Sequence, residues 1–528
     1  DRRVRFVVYA EYFDNLIVGR LLKTMRASPI SGSRGPRMIL QAFREAGRAL
    51  DAGELVCIFP EGQLTRTGLI GPFQRGLLRI VKNRTTPIIP IHLDRLQESV
   101  FAPISGRRIP DRIPFPVTVS VGSPLPSTAS LYDVRQAIRD LDCAAWEYRK
   151  SDCRPLHHGF VRQVRRHPFR KALMDLQRPG LSYIKSLAGA LAFGRRIKPR
   201  WAGQENVGVM LPASIGSAVV NLAASFAGKG VVNLNFTAGR AGMESAAKQA
   251  GLKTLITSKR FLEKGKLEVP EGLEVIYAED EMAGITRGDR LRAMATALFA
   301  PIRKMERYAG ATRPVELDDV ATIIFSSGST GDPKGVPLTH YNIVADIEST
   351  RRAYRLLPHD RLAMILPMFH AFGYSMFWFG KTPGMGSAFH PSPLEAVAVG
   401  QLVEKFQVTV LMATPTFLQL YLRRVPPSQF GSVRLILAGA ERLPDSLAAA
   451  VEDGFGIRPM EGYGVTECSP FVAVNTFDYR APGLFQPGCR RGTVGQPIPG
   501  VAVRIVSPTN HEPMKANEEG LVLVKGPN

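Results

Sequence analysis

Cysteine is scarce in this sequence of 528 residues, and the few cysteines are scattered. Cys57, Cys143, Cys153, Cys468 and Cys489 include no close pair at the spacing of a zinc site or a redox motif. Scattered cysteines of this kind are typical of a reducing compartment. The pattern therefore argues against a disulfide framework or a cysteine zinc site, and it favours the cytosol.

A leader and a clear membrane span are also missing. The chain begins at Asp1 rather than Met, and no basic-then-apolar signal follows, so we expect an excised part of a longer chain. One uncharged run, residues 206–228, is long enough for a membrane-spanning helix. Pro212 and interspersed Asn and Ser residues dilute this run, so we predict a buried strand, a turn and a helix instead.

Acidic residues are outnumbered by basic ones, which gives a formal net charge of +22. Such a charge favours an anionic partner, namely nucleic acid, an acidic lipid surface or an acidic carrier protein, without choosing between them. Hydrophobic residues make up 45% of the chain, which is enough for more than one core. A usual domain length of about 150 residues then indicates roughly two to four domains.

Short apolar runs alternate with helical patterns, which predicts an α/β fold. Within residues 4–121 the runs LVCIF, PIIPIHL and VTVSVG accompany the helical segment PRMILQAFREAGRAL. A basic stretch follows, and the alternation then resumes to the end of the chain. We predict a first domain over residues 1–130, a linker over 131–155 and a second domain over 156–528.

The first domain carries CIFPEGQLTRTG, in which Glu61 and Gly62 occupy a turn after an apolar strand. A carboxylate in such a turn can face a cleft, and glycine leaves room for a substrate. Together with PIIPIHLD (residues 87–94), this segment resembles the third and fourth blocks of the glycerolipid acyltransferase family. The resemblance implies that Glu61 and Gly62 bind the glycerophosphate part of a lysophospholipid, that Pro90 shapes the pocket and that Arg34 contacts phosphate.

The catalytic pair of that family, a His followed four residues later by an Asp, is missing from the sequence. No histidine precedes His92. In the family the His is the general base for the acceptor hydroxyl, and the Asp orients it. Either the pair lies upstream of Asp1, which we favour, or this domain is not catalytic. With the His and Asp pair absent, Glu61 is the remaining candidate catalytic residue of the acyltransferase region.

A loop rich in Ser, Thr and Gly, IIFSSGSTGDPKGVPLTH, follows an apolar run in the second domain. Its glycines expose backbone N–H groups, and its hydroxyls and lysine add further donors, which together bind polyphosphate. The nucleotide-hydrolase pattern does not fit, because Gly rather than Ser or Thr follows the lysine. VPLTHYNIVADI after the loop predicts a capped helix start. The candidate phosphate-binding residues are Ser326, Ser327, Gly328, Ser329, Thr330, Gly331 and Lys334.

This loop resembles the signature of the adenylate-forming enzymes, and further blocks of that family follow in order. They are LPMFHAFG, LILAGAERLP, EGYGVTE and the C-terminal pair RGTVGQPIPGVAVRIV and EEGLVLVKGPN. The resemblance implies catalytic roles for Thr466 at the α-phosphate of ATP, for Glu467 as the ligand of Mg²⁺ and for His370 beside the acyl pocket. It further implies pocket and adenine contacts from Phe369, Gly439, Ala440, Glu441, Tyr463 and Gly464.

An acyltransferase followed by a synthetase resembles a bifunctional bacterial family that loads a fatty acid on acyl carrier protein and reacylates 2-acylglycerophosphoethanolamine. The resemblance implies ATP and Mg²⁺ as cofactors. The implied partners are a fatty acid, acyl carrier protein or CoA, and a lysophospholipid, at the cytoplasmic face of the inner membrane. The expected fold is a partial glycerolipid-acyltransferase α/β domain followed by the large N-terminal domain of an adenylate-forming enzyme. The small C-terminal subdomain of that family, with its mobile lysine, is expected beyond Asn528.

Residues 289–310 predict an amphipathic helix with a kink at Pro301. One face carries apolar residues and the other carries arginines and a lysine, so the helix either lies on a membrane surface or packs on the core with a solvated basic face. The apolar residues of the predicted face are Leu291, Met294, Leu298, Ile302 and Met305.

Two alternatives to the bifunctional enzyme stay open. The chain is also consistent with a fatty acid:CoA ligase whose front domain is a non-catalytic acyltransferase. A net charge of +22 also allows a nucleic-acid-binding protein. We disfavour nucleic acid as a partner, because the basic residues are spread without aromatic interleaving and no recognisable binding motif is present.

Overall fold

The computed structural model describes residues 2–31, 35–96, 116–326, 333–482, 484–515 and 517–528. Contacts divide the described chain into two compact units. The first unit contains the residues up to Tyr148 together with Tyr479–Gln486 and Pro499–Lys525. The second unit contains Arg149–Asp478, Pro487–Ile498 and the last residues, Gly526–Asn528.

Up to residue 149, strands and helices alternate along the chain as predicted. They are β1 Val4–Tyr9, α1 Leu16–Thr24, β2 Ser28–Ile30, α2 Pro36–Asp51, β3 Leu55–Ile58, α3 Gly76–Val81, β4 Ile91–Asp94, β5 Thr118–Val121 and α4 Leu131–Arg149.

The first unit is built on a parallel sheet of three strands in the order β2-β1-β3. The amphipathic pattern of α2 places Ala46 in a buried cluster with Val7 of β1 and Ile80 of α3. Phe43 and Leu50 of α2 pack against this cluster. β4 and β5 form a separate antiparallel pair. The α/β class predicted for this part of the chain is therefore confirmed.

Most of the predicted linker is helical, because α4 covers residues 131–149. α4 contributes Val134 to a buried cluster with Leu77, Val81 and Ile88, so it belongs to the core of the first unit. The domain boundaries inferred from the sequence stay a prediction.

After residue 149 the structure contains the helices α5 to α17 and the strands β6 to β24. The helices are α5 Leu156–Arg166, α6 Tyr183–Ile197, α7 Ile215–Phe226, α8 Gly239–Gln249, α9 Lys259–Gly265, α10 Ala278–Ala283, α11 Arg287–Phe299, α12 Ile302–Ala309, α13 His340–Tyr354, α14 Ala371–Lys381, α15 Ala396–Phe406, α16 Pro415–Arg424 and α17 Asp445–Phe455. The strands are β6 Lys171–Asp175, β7 Leu181–Ser182, β8 Asn206–Val209, β9 Gly230–Asn233, β10 Thr254–Thr257, β11 Glu274–Tyr277, β12 Val320–Ser326, β13 Lys334–Thr339, β14 Arg361–Met364, β15 Gly386–Phe389, β16 Val410–Ala413, β17 Leu435–Ala438, β18 Pro459–Gly464, β19 Phe471–Val474, β20 Tyr479–Ala481, β21 Leu484–Gln486, β22 Gln496–Pro497, β23 Ala502–Val506 and β24 Leu521–Lys525.

The hairpins β20-β21 and β23-β24 group with the first unit. The Gln486 side chain joins β21 to residues far away in sequence, since it accepts a hydrogen bond from the Arg66 amide at 2.7 Å and donates to the Leu64 carbonyl at 2.8 Å. The Gly500 amide donates to a carboxylate oxygen of Asp142 in α4 at 2.9 Å. These contacts explain why late segments of the chain belong to the early unit.

The second unit contains two large sheets. One has six strands in the order β11-β10-β8-β9-β12-β13, and the other has nine in the order β22-β19-β18-β17-β16-β14-β15-β6-β7. The central strands of the larger sheet, from β18 to β6, are parallel. β16 and β17 are apolar and buried along their whole length, as expected for parallel strands covered on both faces.

The uncharged run at residues 206–228 forms β8, a turn and α7, as predicted. The Ser214 side chain caps α7 in a capping box with Ser217, which explains why the helix begins after the turn. α7 is buried around most of its surface. Among the helices of the described residues, none combines the length and the apolar composition needed to cross a bilayer.

The amphipathic segment at residues 289–310 is two helices rather than one kinked helix. α11 ends at Phe299, and α12 begins after Pro301, which cannot donate within a helix. The predicted apolar face is divided, because Met305 is fully buried whereas Leu291 and Leu298 are exposed. The buried face of α11 consists instead of Ala293 and Ala297. The prediction of one shared apolar face was therefore wrong, because α11 packs against α6 through its alanines and α12 is a separate helix after Pro301.

A buried polar network joins the start of α5 to α12. His157 and His158 in the first turn of α5 both contact the Glu306 carboxylate. Burial lowers the pKa of His157 to about 4. Burial alone raises the pKa of Glu306, but the hydrogen bonds from the two histidines outweigh it and lower this pKa to about 2. At neutral pH the network therefore holds an ionised carboxylate and a neutral His157 ring.

Candidate functional site

The predicted phosphate loop lies between two paired strands. β12 and β13 are antiparallel, and Ser326 at the end of β12 is the register partner of Lys334 at the start of β13. Ser326 is half-buried, and Lys334 is exposed. The pairing therefore holds a hydroxyl and a cation side by side at the base of the loop. The predicted contacts Ser327, Gly328, Ser329, Thr330 and Gly331 lie outside the described residues.

The segment EGYGVTE forms β18 and continues into a short 3-10 helix, Thr466–Cys468. β13 contacts this helix, so Lys334 and the Thr466–Glu467 segment belong to neighbouring elements. Tyr463 is 38% exposed, which leaves its ring available for stacking. The Glu467 carboxylate is exposed. The structure thus brings the strand that follows the phosphate loop next to the segment predicted to hold α-phosphate and Mg²⁺.

Gly464 is required by a close approach of two backbone segments. A Cβ atom at this position would lie 2.1 Å from the carbonyl oxygen of Pro470. β18 and β19 pair up to this point, with Gly464 opposite Phe471. Only glycine therefore allows the chain to turn from β18 into the Thr466–Cys468 helix and return along β19.

A buried hydrogen-bond network involving Asn528 and Asp346 supports the Thr466–Cys468 helix. The Asn528 side-chain amide donates to the carbonyls of Cys468 at 2.9 Å and Phe471 at 2.6 Å. Asp346 of α13 is 1% exposed. Burial raises the pKa of Asp346 well above its ordinary value, although hydrogen bonds from Asn528 and the Phe471 amide favour its ionised form. The last residues of the chain and α13 together hold this part of the site.

The predicted adenine segment follows β17. Gly439 is buried, and a Cβ there would lie 3.8 Å from the Gly462 carbonyl oxygen and from the Phe372 ring, which places the segment beside β18 and the start of α14. Ala440 has a φ of +69°, an unusual conformation for a residue other than glycine. The Glu441 carboxylate accepts a hydrogen bond from the Thr416 hydroxyl at 2.7 Å.

The predicted acyl-pocket residues lie between β14 and α14. Phe369 is 4% exposed, and its ring packs edge-on against Phe236, with centroids 4.9 Å apart. His370 precedes the first residue of α14 and exposes much of its surface. Partial desolvation lowers the pKa of His370, so its ring is neutral at pH 7. Phe369 and His370 thus place a buried aromatic ring next to an exposed, uncharged polar ring.

These segments share one edge of the larger sheet. β14, β16, β17 and β18 are parallel, and the predicted acyl-pocket, adenine and Mg²⁺ residues follow the carboxyl ends of β14, β17 and β18. In open α/β sheets this edge is where ligands bind. Three separate sequence blocks therefore meet at one edge of the larger sheet. β13 of the other sheet, which follows the phosphate loop, contacts the Thr466–Cys468 helix, and together these segments form one candidate adenylation site within the second unit.

Two residues of this site were missed by the sequence analysis. Thr416, the partner of Glu441, follows β16 at the same edge, and the Phe372 ring faces Gly439, where an added Cβ would lie 3.8 Å from it. No spacing or composition signal distinguishes this threonine from the many others in the chain. Phe372 lies within the block LPMFHAFG, and its position in that block could have marked it as a candidate site residue.

In the first unit, Glu61 is fixed by the turn that follows β3. Its carboxylate accepts a hydrogen bond from the Gly71 amide at 2.6 Å. Burial raises the pKa of Glu61, and the Gly71 hydrogen bond and the charge of Arg135 partly offset that effect. Gly62 has a φ of +68°, a backbone conformation that glycine adopts more readily than other residues.

Pro90, the predicted pocket residue, is buried beside Gly122, where an added Cβ would lie 2.9 Å from the proline ring. Arg34 lies outside the described residues.

Residues 160–528 match the family model described as AMP-binding enzyme, which covers well over half of the chain. The chain belongs to the AMP-binding enzyme family. Residues 1–94 match a second family model, described as acyltransferase. The predicted order of an acyltransferase region followed by an AMP-binding region is thereby confirmed.

Similar curated proteins include a CoA synthase and a CoA ligase. The chain is similar to a feruloyl-CoA synthase of Amycolatopsis sp., with 30% identity over 57% of this chain and 56% of that protein. It is also similar to 4-coumarate–CoA ligase 1 of Arabidopsis thaliana, with 26% identity over 58% of this chain and 54% of that protein. The chain thus spans little more than half the length of these relatives.

Among solved structures, the chain is similar in fold to ATP-bound MatB from Rhodopseudomonas palustris. The TM-score is 0.56 and the identity 23%, and the match covers 70% of each chain. This likeness confirms the predicted adenylate-forming fold for the AMP-binding region.

Proposed function

We propose that the protein activates a long-chain fatty acid with ATP, transfers the acyl group to acyl carrier protein and uses it to reacylate a lysophospholipid, 2-acylglycerophosphoethanolamine. The observation that carries the adenylation part is the shared sheet edge, where residues for phosphate, adenine and acyl recognition follow neighbouring strands. The acyltransferase part rests on the match of residues 1–94 and on the fixed Glu61 carboxylate.

The chemistry begins with a carboxylate, which is a poor acyl donor because its leaving group would be an oxide. In the proposed first step a carboxylate oxygen of the fatty acid bonds to the α-phosphorus of ATP, and the bond to pyrophosphate breaks. In the second step a thiolate attacks the acyl carbonyl, and AMP leaves. Both steps gather negative charges in one place, so the protein must supply positive charge and N–H or O–H donors.

The residues present fit this task. Ser326 and Lys334 are opposed at the base of the phosphate loop and would hold the polyphosphate tail. Thr466 would contact the α-phosphate, and the Tyr463 ring would stack on adenine. Glu467 offers an exposed carboxylate, the ligand type that Mg²⁺ prefers. The metal ion would supply charge neutralisation on the phosphates.

The acyl side of the site has a matching composition. Phe369 and Phe236 form an apolar wall suited to a hydrocarbon chain. His370 is neutral at pH 7 because desolvation lowers its pKa, so it can line the acyl entrance without attracting the carboxylate away from the phosphorus. In the first unit, Glu61 and Gly62 would bind the polar part of the lysophospholipid.

We further propose that the protein works at the cytoplasmic face of the inner membrane as a peripheral protein. A net charge of +22 favours both an anionic bilayer and an acidic carrier protein. Exposed Leu291, Leu298 and Phe299 on α11 lie among basic residues, a combination typical of membrane-surface helices.

A fatty acid:CoA ligase with a non-catalytic acyltransferase region is the second candidate. The named relatives are CoA ligases or synthases, which favours CoA as the thiol acceptor.

One assay separates the two candidates. The full-length protein receives ATP, Mg²⁺, labelled palmitate and either holo acyl carrier protein or CoA, followed by lysophosphatidylethanolamine. We expect a labelled thioester on the carrier protein and then labelled phospholipid. If a thioester forms on CoA alone and no phospholipid is labelled, the bifunctional proposal is wrong and the CoA ligase remains.

A further inference from the structure

A cluster of three metal-ligating side chains lies away from the adenylation site, where α5 meets α12. The Glu306 Oε1 atom lies 2.9 Å from His157 Nε2 and 2.8 Å from His158 Nε2. One ligating atom from each residue lies within 4.8 Å of the others. Adjacent histidines at the start of a helix are thus joined to a carboxylate almost 150 residues later, on a different helix.

One oxygen of the carboxylate in this cluster has no partner. Glu306 is 1% exposed, and its second oxygen is buried without a hydrogen-bond partner. Across the part of the chain that the structure describes, no lysine or arginine forms an ion pair with Glu306. An isolated buried carboxylate is costly unless a cation or several donors compensate for it. The two imidazoles contact only Oε1, so the second oxygen of Glu306 is left as an unused ligand atom.

From this geometry we propose that His157, His158 and Glu306 bind a divalent transition-metal ion of the zinc class. Two imidazoles and a carboxylate form a known ligand set for such ions, with a fourth position left for water. Tetrahedral ligands about 2.1 Å from zinc are about 3.4 Å apart, so the contacts need to open by only about half an ångström. The orphaned Glu306 oxygen allows the carboxylate to turn toward the ion.

The surroundings of His157 support its role as a ligand. Its Nδ1 atom lies 3.1 Å from the Ser225 hydroxyl of α7, a contact that fixes the ring and leaves Nε2 directed at Glu306. Metal-binding histidines usually have such a partner for their second nitrogen. The neighbouring His340 has another task, because its Nδ1 accepts a hydrogen bond from the Leu156 amide at 3.4 Å.

This site is distinct from the predicted Mg²⁺ site at Glu467. Imidazole nitrogens suit zinc and related ions, whereas Mg²⁺ prefers oxygen ligands and keeps much of its water. The ion would tie α5 to α12 and leave adenylation chemistry to the sheet edge. The inference does not depend on the proposed function.

The test measures metal binding directly on the full-length protein. Chelator-stripped protein is titrated with Zn²⁺, its metal content is measured by mass spectrometry, and a Co²⁺-loaded sample is examined for the visible bands of four-coordinate cobalt. We expect one tightly bound ion per chain and a four-coordinate cobalt spectrum. Glu306→Gln and His158→Ala are each expected to weaken binding at least about tenfold.

His359→Ala is the matched control, because His359 is an exposed histidine of the same unit that lies outside the cluster. Retained binding in this variant is expected. The proposal is overturned if stripped protein binds no Zn²⁺ at stoichiometric level, if bound cobalt has a six-coordinate spectrum, or if His359→Ala weakens binding as much as the cluster variants. Should Glu306→Gln fail to fold, His158→Ala decides, since the His158 side chain is 19% exposed and tolerates truncation better.

Discussion

Lys381 is a buried cation in the middle of the second unit. It is the last residue of α14 and is fully buried. Its ammonium group donates to the carbonyls of Ala172 at 2.6 Å and Met385 at 3.3 Å, and it lies 5.6 Å from the Tyr183 ring centroid. Burial lowers the pKa of Lys381 to about 7. These contacts join α14 to β6 and to the loop before β15.

The shifted pKa of Lys381 predicts how stability depends on pH. The lysine titrates near pH 7 when folded and near about 10.4 when unfolded, so between these values the unfolded chain binds the extra proton. The contribution of Lys381 to the free energy of unfolding should therefore rise with pH across this window, by up to about 1.4 kcal/mol per pH unit. Below pH 7 its contribution should stay constant.

Urea unfolding at pH 6.5, 7.5 and 8.5 checks this expectation. Lys381→Met should lose the rise between pH 7.5 and 8.5 that the natural protein shows. The control is Lys248→Met, which changes an exposed lysine of α8 and should keep the rise. Equal pH dependence in both variants would contradict the assignment of the shift to Lys381.

At the level of elements, the turn from β18 into the Thr466–Cys468 helix determines the geometry of the adenylation site. The segment is held by the approach of Gly464 to Pro470 and by the Asn528 contacts below it. Thr466 and Glu467 can therefore occupy their positions only if the backbone at Gly464 stays free of a side chain.

Gly464→Ala should damage the site because the new methyl group would lie 2.1 Å from the Pro470 oxygen. We expect a loss of about 2 kcal/mol of stability and a large fall in adenylate formation, measured as ATP–pyrophosphate exchange. Gly189→Ala is the control, because a Cβ at this position in α6 meets no atom within 4 Å. It should leave exchange unchanged and raise stability slightly. Normal exchange in Gly464→Ala would show that the turn does not position the site.

Local signals predicted several elements correctly. Thr339 and Asn342 form the capping box that starts α13, as the sequence VPLTHYNIVADI predicts. The run at residues 206–228 became β8 and α7 because Pro212 and the Ser214 cap mark the turn between them. Short-range chemistry determines such features, so the sequence alone suffices.

Non-local features could not be predicted in the same way. The hydrogen bond between Thr416 and Glu441, and those from Asn528 to Cys468 and Phe471, join residues whose proximity arises only when the sheet is assembled. The divided face of α11 and α12 is a similar case. The apolar residues recur at helical spacing, but α11 packs against α6 and buries Ala293 and Ala297 rather than its leucines.

On the scale of the whole molecule, the chain combines an acyltransferase match and an AMP-binding match in one polypeptide. By contacts, the described chain forms two compact units, with Glu61 in the first and Glu467 in the second. If each unit carries its own chemistry, damage to one site should leave the other active. This independence distinguishes a bifunctional enzyme from a ligase with an inert front region.

Glu467→Gln tests that independence in the full-length protein. The change removes the charge of the proposed Mg²⁺ ligand but keeps its shape, so adenylate formation should fall on the order of 100-fold. Transfer from pre-formed acyl carrier protein thioester to lysophosphatidylethanolamine should continue at the natural rate. Glu263→Gln, an exposed change on α9, should preserve both activities. Loss of both activities in Glu467→Gln would sink the idea of two independent sites, because a single charge in the second unit would then control acyl transfer as well.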